Sequence, residues 1–429
     1  MKPTPLENWI VLRSGIPERK REPLEKYQLD RIRETVRYAA GRSRFYKEQL
    51  KGIDADFIRS FQDFQNLPFT FPQQINSRSL EFLCVPQSEV KRIVTLKSSG
   101  TSGNEKRICF TEDDLALTVD FFQWGMSCLT DVTDRVLVLL PGNAYGSIGD
   151  LLKKALSETG IRCFVGGVMV HAEETARLIK ENGITCIVGI PIQIMQLARM
   201  ETEAFRRIKK VLLSTDYVPE ALISELTEYG CRVFTHYGMT EMGYGGGVEC
   251  EALDGYHMRE ADLYFEIVDP VTARPVPDGQ WGEVVFTTLT RKAMPLIRYR
   301  TGDIAAFSPL PCPCGTFLKT MKRVRGRLGN DIKIGGNESL ALTELDEIIL
   351  PFREVMDYSV RISADGRIDI EIAAVGEGPC CDEIGSFIRE YIHRKVGSAI
   401  DPLICVSRTG EPKKILNSMV KRTVRQPAK

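Results

Sequence analysis

No apolar run in this chain is long enough to cross a bilayer, and the first residues, Met1–Pro5, lack the apolar core of a secretion signal. We therefore expect a cytoplasmic protein with no membrane partner. The chain also has no excess of charge, because 57 lysines and arginines match 57 aspartates and glutamates, so no field of one sign favours nucleic acid. It contains neither the G-x-x-x-x-G-K-[ST] phosphate loop nor the G-x-S-x-G nucleophile elbow, which argues against two large enzyme classes.

Cysteine is present, but its distribution is not that of a disulfide framework. Twelve cysteines are scattered through charged sequence, which favours free thiols and one metal site. The candidate ligands have C-x₆-H and C-x-C spacing, and thiolates with an imidazole suit tetrahedral Zn²⁺. They are Cys250, His257, Cys312 and Cys314. The alternative is a set of reduced cysteines beside a surface histidine.

The length of 429 residues predicts two or more domains. A helical pattern over Leu29–Leu50 opens the chain, and short apolar strands then alternate with helical patterns, which predicts parallel strands joined by crossover helices. The predicted strands are Val136–Leu140, Cys163–Val170, Cys186–Ile190, Val211–Ser214 and Cys231–Thr235. The fold class is therefore α/β.

From about residue 260 the pattern changes to period-two alternation, as in Tyr264–Val268 and Gly282–Thr288, which predicts a small antiparallel β subdomain. The polar segment Arg325–Asp331 then precedes a last unit with a hairpin at Asp365-Gly366 and a helix over Asp382–Lys395. We interpret that unit as a small, mobile α+β domain. The predicted domains are residues 1–326 and 327–429.

A loop of small and hydroxyl residues follows the predicted strand Arg92–Leu96. Such a loop offers many donors and little steric hindrance, and a lysine at its end adds the charge that a polyphosphate needs. Its residues are Ser98, Ser99, Gly100, Thr101, Ser102, Gly103, Asn104, Glu105 and Lys106. Taken alone, it is also compatible with a surface turn.

Two later stretches place polar groups beside glycine. Tyr237-Gly238-Met239-Thr240-Glu241 follows a predicted parallel strand, where a hydroxyl and a carboxylate could hold a phosphate oxygen and Mg²⁺. Tyr299-Arg300-Thr301-Gly302-Asp303 ends in a carboxylate that could accept two ribose hydroxyls. Each stretch alone is equally compatible with a turn.

The order and spacing of these three stretches and of the Gly326-Arg327 segment resemble those of the adenylate-forming enzymes, the acyl-CoA synthetase superfamily. Within it, the chain is most similar to the phenylacetate–CoA ligases, in its opening (Glu25–Leu29, Ser43–Tyr46 and Leu67–Thr70) and around Glu249–Glu251. The resemblance covers almost the whole chain. It implies a large N-terminal adenylation domain, a small mobile C-terminal domain, and an AMP-forming acid–thiol ligase that uses ATP, Mg²⁺ and, as acyl acceptor, coenzyme A.

The resemblance also implies roles for individual residues. The loop Ser98–Lys106 would cover the ATP phosphates, Thr240 would contact the α-phosphate, and Glu241 would bind Mg²⁺. Asp303 would hold the ribose, Arg327 would reach ribose or phosphate, and Lys333 would serve the second half-reaction. The adenine would lie between the turn Ser214, Thr215 and Asp216 and the stretch Tyr237, Gly238 and Met239.

The chain departs from the family pattern at three places. Asn104-Glu105 stand where the family commonly has x-Pro before the loop lysine, and Gly329-Asn330 stand where the hinge commonly has two acids. Near the C-terminus, Pro412 replaces the glycine before the adenylation lysine. Lys413 is the best match for that lysine, with Lys414 as the alternative, and a basic solvated tail is the other interpretation.

The acceptor and the activity leave two alternatives open. The chain could adenylylate a coenzyme or a protein without using coenzyme A, or it could be an inactive relative that binds nucleotide or acyl ligand. The sequence does not identify the acid. It also leaves the oligomeric state open, with a homodimer as one option.

Overall fold

The computed structural model describes residues 1–97, 105–335, 338–363, 366–376, 381–397, 402–409 and 424. No helix in these ranges is long and apolar enough to cross a membrane. The helices are α1 Pro5–Ser14, α2 Arg21–Arg42, α3 Arg44–Gln49, α4 Phe61–Phe64, α5 Pro72–Arg78, α6 Glu112–Met126, α7 Ile148–Glu158, α8 Ala172–Asn182, α9 Pro191–Met200, α10 Thr202–Phe205, α11 Glu220–Glu228, α12 Leu342–Ile349 and α13 Cys381–Val396.

The strands are β1 Arg92–Lys97, β2 Glu105–Phe110, β3 Arg135–Val138, β4 Arg162–Val165, β5 Cys186–Gly189, β6 Lys210–Leu213, β7 Arg232–Tyr237, β8 Gly247–Glu249, β9 Tyr256–Met258, β10 Leu263–Val268, β11 Gly282–Thr288, β12 Tyr299–Ala305, β13 Thr320–Met321, β14 Gly326–Arg327, β15 Asp331–Gly335, β16 Glu338–Ala341, β17 Val355–Ile362, β18 Ile368–Ala374 and β19 Ile404–Thr409.

The chain forms two compact units, each built from separate stretches of sequence. The first unit contains Met1–Thr133, Gly142–Arg162 and Phe234–Val324. In it, β1 and β2 form an antiparallel pair, and β10, β11 and β12 form an antiparallel sheet. The end of β7 continues antiparallel through β8 and β9 to β13.

The second unit contains Asp134–Pro141, Cys163–Val233 and Arg325–Lys429. Its β5 lies between β3 and β6, and both pairings are parallel. Its C-terminal strands β17 and β18 are antiparallel, and β19 lies parallel to β18. Inside this unit Arg199 of α9 forms a buried ion pair with Glu225 of α11 and donates to the carbonyl oxygens of Leu350 and Val355.

The predicted fold class is confirmed. Parallel strands alternate with helices in the middle of the chain, and antiparallel strands follow from β8 to β13. The hairpin predicted at Asp365-Gly366 corresponds to the antiparallel pair β17 and β18, although Asp365 itself lies outside the described residues.

Two predicted elements are wrong in extent. The helix expected over Leu29–Leu50 is broken at Ser43, whose backbone is extended and whose hydroxyl accepts a hydrogen bond from the N–H of Tyr46, so that α3 starts anew. The strand expected over Cys163–Val170 ends at Val165, because Gly166 and Gly167 follow and Gly167 has a φ of +74°.

The predicted domain boundary between residues 326 and 327 stays a prediction. The second unit begins its last stretch at Arg325, next to that boundary, but it combines this stretch with the parallel strands β3, β5 and β6.

Candidate active site

The candidate site in the first unit is built at the end of β7, where the chain turns sharply. After β7, Gly238 and Met239 lead into one turn of 3₁₀ helix, Thr240–Met242, and Gly243 follows with a φ of +74°. A Cβ atom on Gly238 would lie 2.2 Å from the carbonyl oxygen of Tyr244, so only glycine fits there. The turn therefore fixes the buried side chain of Glu241 immediately past the strand.

Two side chains from distant parts of the sequence converge on the Glu241 carboxylate. Nζ of Lys106, on β2, lies 2.5 Å from Oε1 of Glu241. The hydroxyl of Tyr299, on β12, donates to the same oxygen at 3.1 Å and accepts from Lys106 at 3.1 Å. Burial alone would raise the pKa of Glu241, but the Lys106 charge and these hydrogen bonds lower it. Glu241 is thus a buried carboxylate whose ionised form is favoured, and carboxylate oxygens are donors of the type that Mg²⁺ prefers.

The predicted ribose ligand lies in the same unit and contacts another predicted site residue. Asp303 on β12 is buried, and its Oδ2 accepts a hydrogen bond from the hydroxyl of Tyr237 at 3.1 Å. Gly302 has a φ of +79° and donates its N–H to Glu283, and the Asp303 N–H donates to the Thr301 hydroxyl. The backbone before the carboxylate is thus fixed by bonds that do not use that carboxylate.

The structure therefore pairs four predicted residues of the first unit. Lys106 and Glu241 form one hydrogen-bonded group, Tyr237 and Asp303 form another, and half-buried Thr240 adjoins Glu241 in the sequence.

Apart from Gly238 and Met239 after β7, the other predicted residues of the nucleotide site belong to the second unit or lie outside the described residues. Ser214, Thr215 and Asp216 follow β6, and Thr215 has a φ of +81°, a strained value for a β-branched residue. Arg327 and Lys333 are exposed, Lys333 on β15. The loop residues Ser98, Ser99, Gly100, Thr101, Ser102 and Gly103, and both Lys413 and Lys414, lie outside the described residues.

Glu105, the acid that precedes the loop lysine in place of the family's proline, takes no part in the hydrogen bonds around Glu241. The side chain of Glu105 is exposed and lies 3.6 Å from that of Arg107, its neighbour but one on β2. Glu105 and Lys106 point to opposite faces because successive residues of a strand alternate. The acid therefore does not neutralise Lys106 by direct contact.

The four predicted metal ligands also meet in the first unit. The ligand atoms of Cys250, His257, Cys312 and Cys314 are buried and lie within 4.8 Å of one another. The Cys250 and Cys312 sulfurs are 3.7 Å apart, and the Cys314 sulfur is 3.6 Å from Nε2 of His257. A tetrahedral zinc with bonds of ~2.3 Å to sulfur and ~2.05 Å to nitrogen would give ~3.8 and ~3.6 Å.

The pKa shifts of this cluster run in different directions, since burial raises the pKa of Cys250, whereas the burial of His257 is outweighed by its hydrogen bonds with the cysteines, which raise its pKa to about 12. Burial opposes charge on Cys314, but its hydrogen bond with His257 and a backbone donor lower its pKa to about 6. Thiolate is the form that ligates zinc. Three sulfurs and one nitrogen in a closed, buried arrangement match the donor set of structural zinc sites.

Two features of this region are not predicted by the sequence: a role for Tyr299, and the buried pair of Arg298 and Glu266. Arg298 donates to both Glu266 oxygens, at 3.1 and 3.0 Å, and its guanidinium carbon lies 4.0 Å from the centre of the Phe69 ring. The one signal in the sequence was the position of Arg298 directly before the Tyr299–Asp303 stretch.

Residues 85–289 match the model of the AMP-binding enzyme family. A phenylacetate–coenzyme A ligase of Thermus thermophilus is 29% identical over 387 residues, which cover 85% of this chain and 84% of that protein. The corresponding ligase of Aromatoleum evansii is 27% identical, covering 82% of each chain. The resemblance predicted from the motifs is confirmed.

Solved structures share the fold. A 2-hydroxyisobutyryl-CoA ligase in the postadenylation state superposes with a TM-score of 0.76 at 19% identity, covering 94% of this chain and 89% of the other. An anthranilate CoA ligase in complex with anthranoyl-AMP gives a TM-score of 0.55 at 17% identity, covering 76% of this chain and 65% of that one.

Proposed function

We propose that this chain joins a carboxylic acid to coenzyme A in two ATP-dependent steps. Residues 85–289 match the AMP-binding enzyme family, and most of the chain is similar to phenylacetate–CoA ligases. In the first step a carboxylate oxygen attacks the α-phosphorus of ATP, giving acyl-adenylate and releasing pyrophosphate. In the second step the thiol sulfur attacks the acyl carbon, AMP leaves, and the thiol proton is lost to solvent. The observation that carries the proposal is the convergence of Lys106 and Tyr299 on the Glu241 carboxylate.

The first step needs positive charge and fixed donors where charge develops on the phosphate oxygens. Lys106 supplies an ammonium close to Glu241, and Thr240, with its hydroxyl, precedes Glu241 in the chain. Mg²⁺, when bound, would neutralise phosphate charge, and Glu241 is the residue that would hold it. No enzyme nucleophile is required, because the substrate carboxylate is itself the nucleophile.

In the first unit, the nucleoside would be held by the Asp303 carboxylate at the ribose and by Tyr237 at the adenine, and the role of the Ser214–Asp216 turn at the adenine stays a prediction. Support for the ribose role comes from the burial of Asp303 and the fixed backbone before it. Support for the turn comes from the strained φ of Thr215, since strain of that kind is concentrated at functional sites.

For the second step we propose that residues 327–429 move as a domain and bring Lys333 into use, while Lys413 serves the first step. Within the second unit, such a movement would have to break the hydrogen bonds from Arg199 to the carbonyl oxygens of Leu350 and Val355. Those bonds offer a direct test of the mobile domain, because removing them should favour the movement.

We also propose a structural zinc ion at Cys250, His257, Cys312 and Cys314. Four protein ligands leave no open position, so the metal would stabilise the fold without taking part in the reaction. The ligand segment Cys312–Cys314 is followed closely by Thr316, whose hydroxyl donates a hydrogen bond to the buried Glu7 of α1. The zinc would therefore also hold the N-terminal helix in place. Thiol ligands that stay reduced fit a cytoplasmic location.

The test is ATP–pyrophosphate exchange across a panel of carboxylic acids that starts with arylacetic and small hydroxy acids. Exchange that depends on an acid, followed by AMP release that depends on coenzyme A, is the expected result. Exchange with no effect of coenzyme A would favour adenylylation of another acceptor. No exchange with any acid, in protein that still binds ATP, would favour an inactive binding protein.

A further inference from the structure

The two side chains that meet at Oε1 of Glu241, those of Tyr299 and Lys106, differ in how firmly they are held. Tyr299 is 1% exposed and lies in β12, where its backbone pairs with Phe286 and where the backbones of Arg298 and Arg300 on either side bond to Thr70. Its ring also packs against the ring of Phe286, with centroids 5.3 Å apart. The position of the Tyr299 hydroxyl is therefore set by the sheet and by packing.

Lys106 is held in a different way. It reaches Glu241 through a flexible four-carbon side chain, and its side chain is 13% exposed. In the proposed reaction its ammonium is needed at the phosphates, so it must leave Glu241 when Mg²⁺ and ATP bind. A carboxylate bound only by that ammonium would lose its orientation at the moment when it must receive the metal.

We propose that Tyr299 is a positioning residue that keeps the Glu241 carboxylate oriented for Mg²⁺ when the Lys106 ammonium leaves it. The proposal rests on the proposed function. The phenol donates to Glu241 and accepts from Lys106, so it contacts both partners of the exchange. Because it is neutral, it does not compete with Mg²⁺ for the carboxylate as the ammonium does.

The proposal differs from a purely structural role in what it predicts for Mg²⁺. A buried tyrosine that only packs would change stability and leave the metal dependence unaltered. A tyrosine that orients the metal ligand would change the Mg²⁺ concentration needed for half-maximal rate, and excess Mg²⁺ would largely restore that rate. Tyr299→Phe separates the two roles, because it keeps the ring and removes only the hydroxyl.

We expect Tyr299→Phe to raise the Mg²⁺ concentration for half-maximal pyrophosphate exchange by about tenfold, the effect of losing one hydrogen bond to a charged group. At saturating Mg²⁺ the exchange rate should return to within roughly threefold of the wild-type rate. The same shift should appear in calorimetric titrations of ATP at graded Mg²⁺, a readout that needs no acid substrate.

Tyr46→Phe is the matched control. Tyr46 is also fully buried, and its hydroxyl pairs with Thr70 and accepts from the N–H of Ile297 at 2.9 Å. This variant should lose stability without any change in Mg²⁺ dependence. A second measurement is a double-mutant cycle with Lys106→Met, in which the effect of Tyr299→Phe should grow, because the phenol then holds the Glu241 carboxylate without the ammonium.

Three outcomes would overturn the proposal. They are a wild-type Mg²⁺ curve for Tyr299→Phe, an equal shift for Tyr46→Phe, and effects of Tyr299→Phe and Lys106→Met that are simply additive. Failure of the proposed function would look different, because wild-type protein would then bind ATP in the calorimeter and exchange no pyrophosphate with any acid.

Discussion

Replacing Asp303 by alanine should weaken ATP binding and leave the fold intact. The carboxylate is 6% exposed, so its contact with a ribose would be shielded from water. Losing a hydrogen bond to a charged acceptor costs about 1.5–3 kcal/mol, which is roughly a tenfold to 150-fold increase in the dissociation constant. The fold should persist, because Gly302 and the N–H of residue 303 are bonded to Glu283 and Thr301 independently of the carboxylate.

The assay is a calorimetric titration with ATP and Mg²⁺ in the absence of acid, with the melting temperature as the check on folding. Tyr237→Phe is the matched control, since it removes the hydroxyl that donates to Asp303 and keeps the charge. It should weaken ATP binding less than Asp303→Ala does, because the carboxylate that would hold the ribose remains. Wild-type affinity in folded Asp303→Ala protein would refute the ribose assignment, and equal losses in the two variants would refute the dominant role of the charge.

Elemental analysis of protein purified without chelator should find one zinc per chain, and Cys314→Ser should abolish it because the variant lacks one of four ligands; zinc-free wild-type protein would exclude the site. Burial opposes ionisation of Asp262, but the charges of Arg259 and Arg13 lower the pKa of Asp262 below its value in the unfolded chain. The stability that the ionised carboxylate contributes is therefore present above about pH 4 and is lost as the pH falls through the folded pKa. Asp262→Asn should therefore flatten the fall in melting temperature below about pH 4, and a parallel curve would contradict this sign. Lys413→Ala should slow adenylate formation roughly a hundredfold to a thousandfold and spare thioester formation from supplied acyl-adenylate; if Lys414→Ala alone has this effect, the register is off by one.

Local patterns predicted most of the fold. Short apolar runs separated by helical patterns predicted the parallel strands β3, β5 and β6, because the alternation of burial is encoded in neighbouring residues. Local pattern was less informative at element ends. The helix break at Ser43 depends on a side-chain cap, and the early end of β4 depends on Gly166 and Gly167.

The sequence by itself determined the chemistry that this chain can carry. The order of the motifs pointed to an adenylate-forming enzyme, and the spacing of three cysteines and one histidine pointed to a tetrahedral metal site. Both inferences rest on residue types, because a thiolate or a carboxylate binds the same class of ion or substrate wherever the fold places it.

Only the tertiary structure decided which groups act together. Lys106 and Glu241 are 135 positions apart, and Tyr299 lies 58 positions beyond Glu241, yet the three meet at one oxygen atom. The buried pair of Arg298 and Glu266 is equally invisible in the sequence, since charged residues are expected at the surface until a partner is known. Hydrogen bonds and ion pairs act over about 3 Å, so they are fixed by the packing of strands that are remote along the chain.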